Sequence, residues 1–160
     1  MGMLRVLSLG TAVLALPASG NAHWQYTRWH MSPAEVVKAA KNQTKPAANS
    51  RGRSTIHSRN LLDSTYQFDR FIFDVHFLFN PQDKLTSVSL ALVNSADCYA
   101  LKRQLSDTYG PSTGTNSGLM DMAKWWDRKN GNVLMLLRIG EKSCNLEYSE
   151  FAEGGSPGGL

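Results

Sequence analysis

Asp74 and His76 stand two residues apart in an alternating stretch, which places both on one face of a predicted strand. A carboxylate beside an imidazole can orient that imidazole as a general base. No Gly-x-Ser-x-Gly or other nucleophile motif accompanies the pair. The pattern therefore favours a solvated strand face and predicts that the protein is not an enzyme. A small enzyme using Asp74 and His76 is kept as an alternative.

His23 offers a second chemistry if the chain is cut just before it. An N-terminal histidine can chelate copper through its amine and its imidazole, and imidazole is a ligand that suits copper. His30, His57 and His76 are available as a second ligand. A polar terminus is the favoured interpretation, so we predict no metal and no cofactor. A copper-binding protein using His23 is the alternative.

Aromatic residues offer a third possibility, which is binding rather than catalysis. Trp24, Tyr26 and Trp29 cluster near the start of the chain, and Trp125 and Trp126 stand side by side further on. Trp and Tyr dominate the energetics of protein interfaces. Adjacent strand residues face opposite ways, so only one of Trp125 and Trp126 can point into the core. These five residues are the predicted binding surface, with packing inside the protein as the competing interpretation.

Residues 38–59 carry the most one-sided charge of the chain, since six Lys and Arg residues occur there without any Asp or Glu. Such a region can meet an anionic lipid surface, polymer or protein. It has no interleaved aromatic residues for stacking on bases, and we predict no nucleic-acid partner. We expect a solvated loop, with anionic-surface binding as an alternative function.

Residues 1–22 have the three parts of an export signal. Arg5 precedes an apolar run from Val6 to Leu16, and Gly20-Asn21-Ala22 supplies the small residues of a cleavage site. The run is shorter than the roughly 20 residues that span a bilayer. We therefore predict a periplasmic or secreted protein that does not span the membrane. No cysteine follows the cleavage region, so we also predict no lipid anchor.

Cys98 and Cys144 are the two cysteines of the chain. An even cysteine count in an exported chain favours a disulfide, and only one pairing is available. Neither residue lies in a Cys-x-x-Cys or Cys/His pair with the spacing of metal ligands. We predict a Cys98–Cys144 disulfide, with two buried thiols as the alternative.

Local patterns predict the elements that would position these residues. Ser32-Pro33-Ala34-Glu35 is a capping box that starts a helix running to about Asn42. A second helix follows Ser95 and ends at Gly110-Pro111. Alternating apolar residues predict strands at 23–30, 64–68, 71–79, 88–92, 122–127, 133–139 and 144–148, with loops over 44–59 and 112–118.

The order of helix, strands, helix and strands predicts the fold class. Such an order indicates an α+β protein, here an antiparallel β-sheet with two helices packed on one face. We predict a single domain over residues 23–151. Residues 152–160, with four glycines and one proline, are predicted to be a disordered tail.

Two short segments resemble small bacterial envelope proteins. Residues 29–36 are similar to the G-M-[ST]-x-x-[EQ]-V helix start of that group, and residues 101–111 to its L-x3-L-x3-Y-G-x-P helix end. The group includes the outer-membrane assembly lipoproteins called small protein A and the β-lactamase-inhibitor-like domains. His30 stands where the group has Gly, and the lipid-bearing cysteine is missing. The resemblance implies a non-enzymatic protein that binds another envelope protein, which is also our predicted function.

Overall fold

The computed structural model describes residues 24–48 and 57–151. The predicted export signal over 1–22, the copper candidate His23 and the predicted tail over 152–160 lie outside these residues. Among the described helices, none has the length and apolar character needed to cross a bilayer.

The described chain forms a sheet of eight antiparallel strands. In spatial order the strands run β1-β2-β3-β4-β8-β7-β6-β5. Their bounds are Lys45–Pro46 (β1), Arg59–Phe68 (β2), Phe71–Phe79 (β3), Leu85–Leu92 (β4), Thr113–Asn116 (β5), Met120–Asp127 (β6), Asn132–Ile139 (β7) and Ser143–Glu150 (β8). Two meanders, β2-β3-β4 and β6-β7-β8, therefore lie side by side and are joined where β4 pairs with β8. The predicted antiparallel sheet with helices is confirmed.

Two α-helices accompany the sheet. Helix α1 spans Pro33–Ala39, and its capping box is present, since Ser32 and Glu35 bond each other's backbone N–H groups. A short 3₁₀ turn at Ser95–Asp97 leads into α2, which spans Cys98–Tyr109. Gly110 ends α2 with a φ of 85°, a conformation that glycine adopts without steric cost. The carbonyl of Gly110 then accepts a 3.0 Å hydrogen bond from the buried indole N–H of Trp125 on β6.

The hydrophobic core lies on one face of the sheet. Phe73, Val75 and Phe77 of β3 point into it, because side chains alternate along a strand. Val36 of α1 and residues of α2 belong to the same buried cluster. Each fully buried Leu or Phe stabilises the fold by about 1.5–3 kcal/mol through apolar burial.

The predicted disulfide is confirmed. Cys98, the first residue of α2, is bonded to Cys144 of β8, and their Cα atoms lie 5.8 Å apart. Both cysteines are buried in the core. The bridge therefore fixes the start of α2 against a strand in the middle of the sheet.

Three segments differ in secondary structure from the predictions, and α1 ends at Ala39, before the predicted end near Asn42. Residues 24–30 form no strand, and Trp24 makes only an isolated bridge to Thr27 across a turn. The predicted loop over 44–59 contains the short strand β1, and the predicted loop over 112–118 contains β5. Both strands are exposed and polar, so neither has the apolar alternation by which strands are recognised in a sequence.

Candidate functional site

A tight turn at the start of the described chain places Gln25 above the core face of the sheet. The backbone N–H and the side-chain hydroxyl of Thr27 both donate to the carbonyl of Trp24, at 2.8 Å. Thr27 is fully buried, which anchors the turn. Gln25 has a φ of 50°, an uncommon value for a non-glycine residue. Held in this conformation, its side-chain amide donates a 3.0 Å hydrogen bond to the hydroxyl of Tyr66 on β2.

Below Gln25, two neighbouring cavities share the same four lining residues: Gln25, Tyr66, Tyr109 and Tyr148. The three tyrosines come from β2, the end of α2 and β8. We call the two cavities together the tyrosine cleft. It lies between α2, the N-terminal turn and the core face of the sheet.

The apolar end of the tyrosine cleft has a volume of about 240 Å³. Its floor is formed by core residues of the sheet and its wall by α2; these include Phe73, Leu90 and Leu146 on the strands and Leu101 and Leu105 on the helix. Gln104 and Thr108 of α2 form part of the exposed rim. This end can accept an apolar side chain.

The polar end has a volume of about 200 Å³. Apart from the shared residues, it is lined by Trp24, Asp127, Asn130 and Asn132. Asp127 is only 7% exposed. Asn130 holds the carboxylate of Asp127, with its side-chain N–H 2.6 Å from one oxygen and its backbone N–H 3.2 Å from the other. The polar end therefore presents a fixed carboxylate among aromatic rings.

Burial keeps Tyr109 and Tyr148 of the cleft uncharged. It raises the pKa of Tyr109, and the nearby Asp127 carboxylate raises it further. Burial also raises the pKa of Tyr148 far above its ordinary value of about 10, and its interaction with the Tyr109 hydroxyl adds to the shift. The two residues thus present neutral hydroxyls and rings at any physiological pH.

A second polar cluster lies on the opposite face of the sheet. The Nδ1 atom of His76 lies 2.7 Å from an oxygen of Asp63, and the side-chain amide of Asn60 donates to the same oxygen at 2.8 Å. The carboxylate accepts only, so the proton of this bond belongs to His76. The carboxylate that contacts His76 is therefore Asp63 on the neighbouring strand, whereas the sequence suggested Asp74, which pairs in register with Thr65 and Ala91.

This second cluster continues across the sheet to β4 and β8. His76 lies opposite Ser89, and Ser89 lies opposite Glu147. Burial raises the pKa of Glu147, and a hydrogen bond with Ser87 partly counters the shift. The Nε2 atom of His76 is buried without a hydrogen-bond partner among the described residues. His76 is not among the residues that line the tyrosine cleft, so the cluster and the cleft are separate.

A wider depression of about 840 Å³ separates the β2–β3 turn from the outer side of α2. Charged residues of both signs line it, among them Asp69, Arg70, Lys102 and Arg103. Two of these charges are already paired with residues outside the lining, Lys102 with Asp121 at 2.9 Å and Arg70 with Asp97 at 3.0 Å. The tyrosine cleft is therefore the better candidate for a ligand-binding site.

The five predicted aromatic residues do not share one surface. Trp24, Trp29 and Trp125 are buried in the core, and Tyr26 packs against it. Trp126 lies on the other face of β6, where the Lys124 ammonium is 5.6 Å from its ring centre. Trp24 is the member of the set that lines the tyrosine cleft.

The basic region over 38–59 is described only in part, because residues 49–56 lie outside the described ranges. Lys38, Lys41 and Lys45 are exposed. Arg59 forms an ion pair with Asp83 at 2.6 Å, so its charge is used within the fold. No group of three potential metal ligands occurs in the described part of the chain.

Tyr66, Tyr109, Tyr148 and Asp127 were not singled out in the sequence. They come from four different elements, and only the pairing of the strands and the packing of α2 bring them together. Tyr109 and Tyr148 follow apolar periodicities, so the sequence places them at the core without indicating a cavity beside them. No local sequence pattern therefore predicts the tyrosine cleft.

Comparison with known proteins does not identify a family for this chain. No protein-family model, no curated protein and no solved structure matches this chain.

Proposed function

We propose that this chain is an exported, non-catalytic binding protein, and that the tyrosine cleft receives a segment of another envelope or secreted protein. The observation that carries the proposal is the cleft itself, an aromatic-walled recess that runs from an apolar floor to a fixed carboxylate. Ligand sites of this kind combine mostly apolar walls with a few placed polar groups.

The export part of the proposal is supported by the residue pattern of 1–22 and by the Cys98–Cys144 bridge. Disulfides persist in oxidising compartments and are rare in the cytosol. Mass spectrometry of protein from its native source tests this part. A chain beginning at His23 with the bridge intact is expected, and a chain that keeps Met1 with two reduced thiols contradicts it.

The binding part is tested by filling the cleft from its rim. Thr108→Trp places a large side chain at the apolar end without removing a core residue, since Thr108 is exposed. Asp107→Trp adds the same bulk one position away, at a residue that does not line the cleft. Asp107→Trp is therefore the matched control.

The wild type and both variants are immobilised and exposed to the envelope and secreted fractions of the native source. We expect wild type and Asp107→Trp to retain the same protein in a saturable manner, and Thr108→Trp to lose at least about ten-fold in affinity, since ten-fold corresponds to only 1.4 kcal/mol. If Thr108→Trp retains that protein as well as wild type does, the cleft is not its binding site.

A further inference from the structure

The charge inside the tyrosine cleft is unbalanced. Asp127 is almost completely buried, and none of the residues lining the polar end is a Lys, Arg or His. Among the described ion pairs, none involves Asp127. Burying an ionised carboxylate without a cation is unfavourable, and the hydrogen bonds from Asn130 compensate only part of that penalty.

The remaining groups of the polar end also suit a cation. Trp24, Tyr66, Tyr109 and Tyr148 contribute aromatic rings to its lining. Ammonium and guanidinium groups are attracted to the faces of such rings, most strongly where water is excluded. The raised pKa values of Tyr109 and Tyr148 mean that these two hydroxyls stay neutral, which leaves Asp127 as the acidic group of the lining.

We propose that the polar end of the tyrosine cleft binds the ammonium or guanidinium group of a Lys or Arg side chain in the partner polypeptide. Asp127 supplies the counter-charge, and the aromatic residues surround the alkyl part of that side chain. This inference rests on the proposed binding function and names the chemistry of the segment bound.

The adjoining apolar end favours a polypeptide over a free amine. It adjoins the polar end, with which it shares Gln25 and the three tyrosines as lining residues. A basic residue followed by an apolar residue can occupy both ends at once, whereas a small amine occupies only one. We therefore expect a basic-apolar pair in the partner.

The test uses blocked dipeptides as probes of the purified full chain. Acetyl-Lys-Leu-amide and acetyl-Arg-Leu-amide carry both features, acetyl-Gln-Leu-amide lacks the charge, and choline lacks the apolar residue. Binding is followed by the amide NMR signals of Asn130 and Asn132, which line the polar end.

We expect the two basic dipeptides to bind more tightly than the neutral dipeptide and choline, and their affinity to fall as NaCl is added. Asp127→Asn keeps the shape of the side chain but removes its charge. It is expected to lower the affinity for the basic dipeptides about ten-fold or more, since hydrogen bonds between charged groups are stronger than those between neutral groups. Asp107→Asn, an exposed carboxylate outside the cleft, is expected to leave them unchanged.

Equal affinity for the neutral dipeptide, or no response to salt in the wild type, overturns the cation site without need of any variant. Tighter binding of choline than of the basic dipeptides overturns the polypeptide as the source of the cation. If Thr108→Trp abolishes partner retention while Asp127→Asn does not affect it, the proposed function stands and this inference fails.

Discussion

At the scale of single residues, the register of β2 against β3 decides which carboxylate His76 contacts. Asp74 is close in sequence, but Asp63 is its neighbour in space, because β2 and β3 pair in a register that sets these two residues opposite each other. A two-residue periodicity shows which side chains share a face of one strand. It contains no information on the register of the next strand.

Glu147 provides a prediction at this scale. Burial raises its pKa, so the folded state binds a proton more tightly than the unfolded state does. Its contribution to stability therefore falls as the pH rises from about 4.3, the ordinary Glu value, through the raised value. Glu147→Gln removes this dependence and is expected to raise Tm at about pH 8 relative to wild type, but not at about pH 4.

Thermal unfolding followed by circular dichroism at both pH values measures the effect. Glu141→Gln is the matched control, since Glu141 is exposed in the turn between β7 and β8. A Tm difference between Glu147→Gln and wild type that does not grow with pH would falsify the assignment.

At the scale of elements, those with a local signal were predicted and those without one were missed. The capping box of α1 and the alternation of β3 depend on neighbouring residues, and both are present. The strand β5 has the sequence Thr-Gly-Thr-Asn, is exposed along its whole length and exists only by pairing with β6. The tyrosine cleft was missed for the same reason, since its walls come from separate elements.

Gly114 gives the prediction for β5. A Cβ atom at this position would lie 1.9 Å from the carbonyl oxygen of Met122 on β6, which is a backbone atom that cannot turn away. Gly114→Ala is therefore expected to separate β5 from β6 and to lower the free energy of unfolding by about 1–3 kcal/mol, as other overpacking changes do.

Hydrogen exchange of the backbone amides measures this loss of pairing separately for each strand. Amides that bond between β5 and β6 are expected to lose protection in Gly114→Ala, while those between β3 and β4 keep theirs. Thr115→Ala, on the same exposed strand, is the control and is expected to change neither. Normal protection of β5 in Gly114→Ala would show that β6 accommodates the methyl group.

At the scale of the whole molecule, the antiparallel sheet with helices and the disulfide followed from the sequence. The strand order did not, because nothing in the sequence states that the second meander returns to pair β8 with β4. Two cysteines permit one bridge whatever the topology is. A choice between topologies requires contacts between residues far apart in the chain.

The disulfide gives the prediction at this scale. It joins residues separated by 46 positions, and closing a loop of that size is worth about 4 kcal/mol in the chain-entropy model. Replacing both cysteines by Ala is expected to lower the free energy of unfolding by about 2–4 kcal/mol in urea titrations. Reductant is expected to destabilise the wild type similarly and to leave the double variant unchanged. If reductant leaves the free energy of unfolding of the wild type unchanged, the disulfide does not stabilise the fold.

The position of β8 has a consequence for how the chain is made. Among the described strands it is the last to leave the ribosome, yet it takes a central place between β4 and β7. Until it arrives, both of those strands present unpaired backbone groups, which invite association with other chains. A nascent chain stalled before Ser143 thus has two strands with unpaired edges and a Cys98 without its partner. The interval before β8 is made is therefore when a chaperone is most needed.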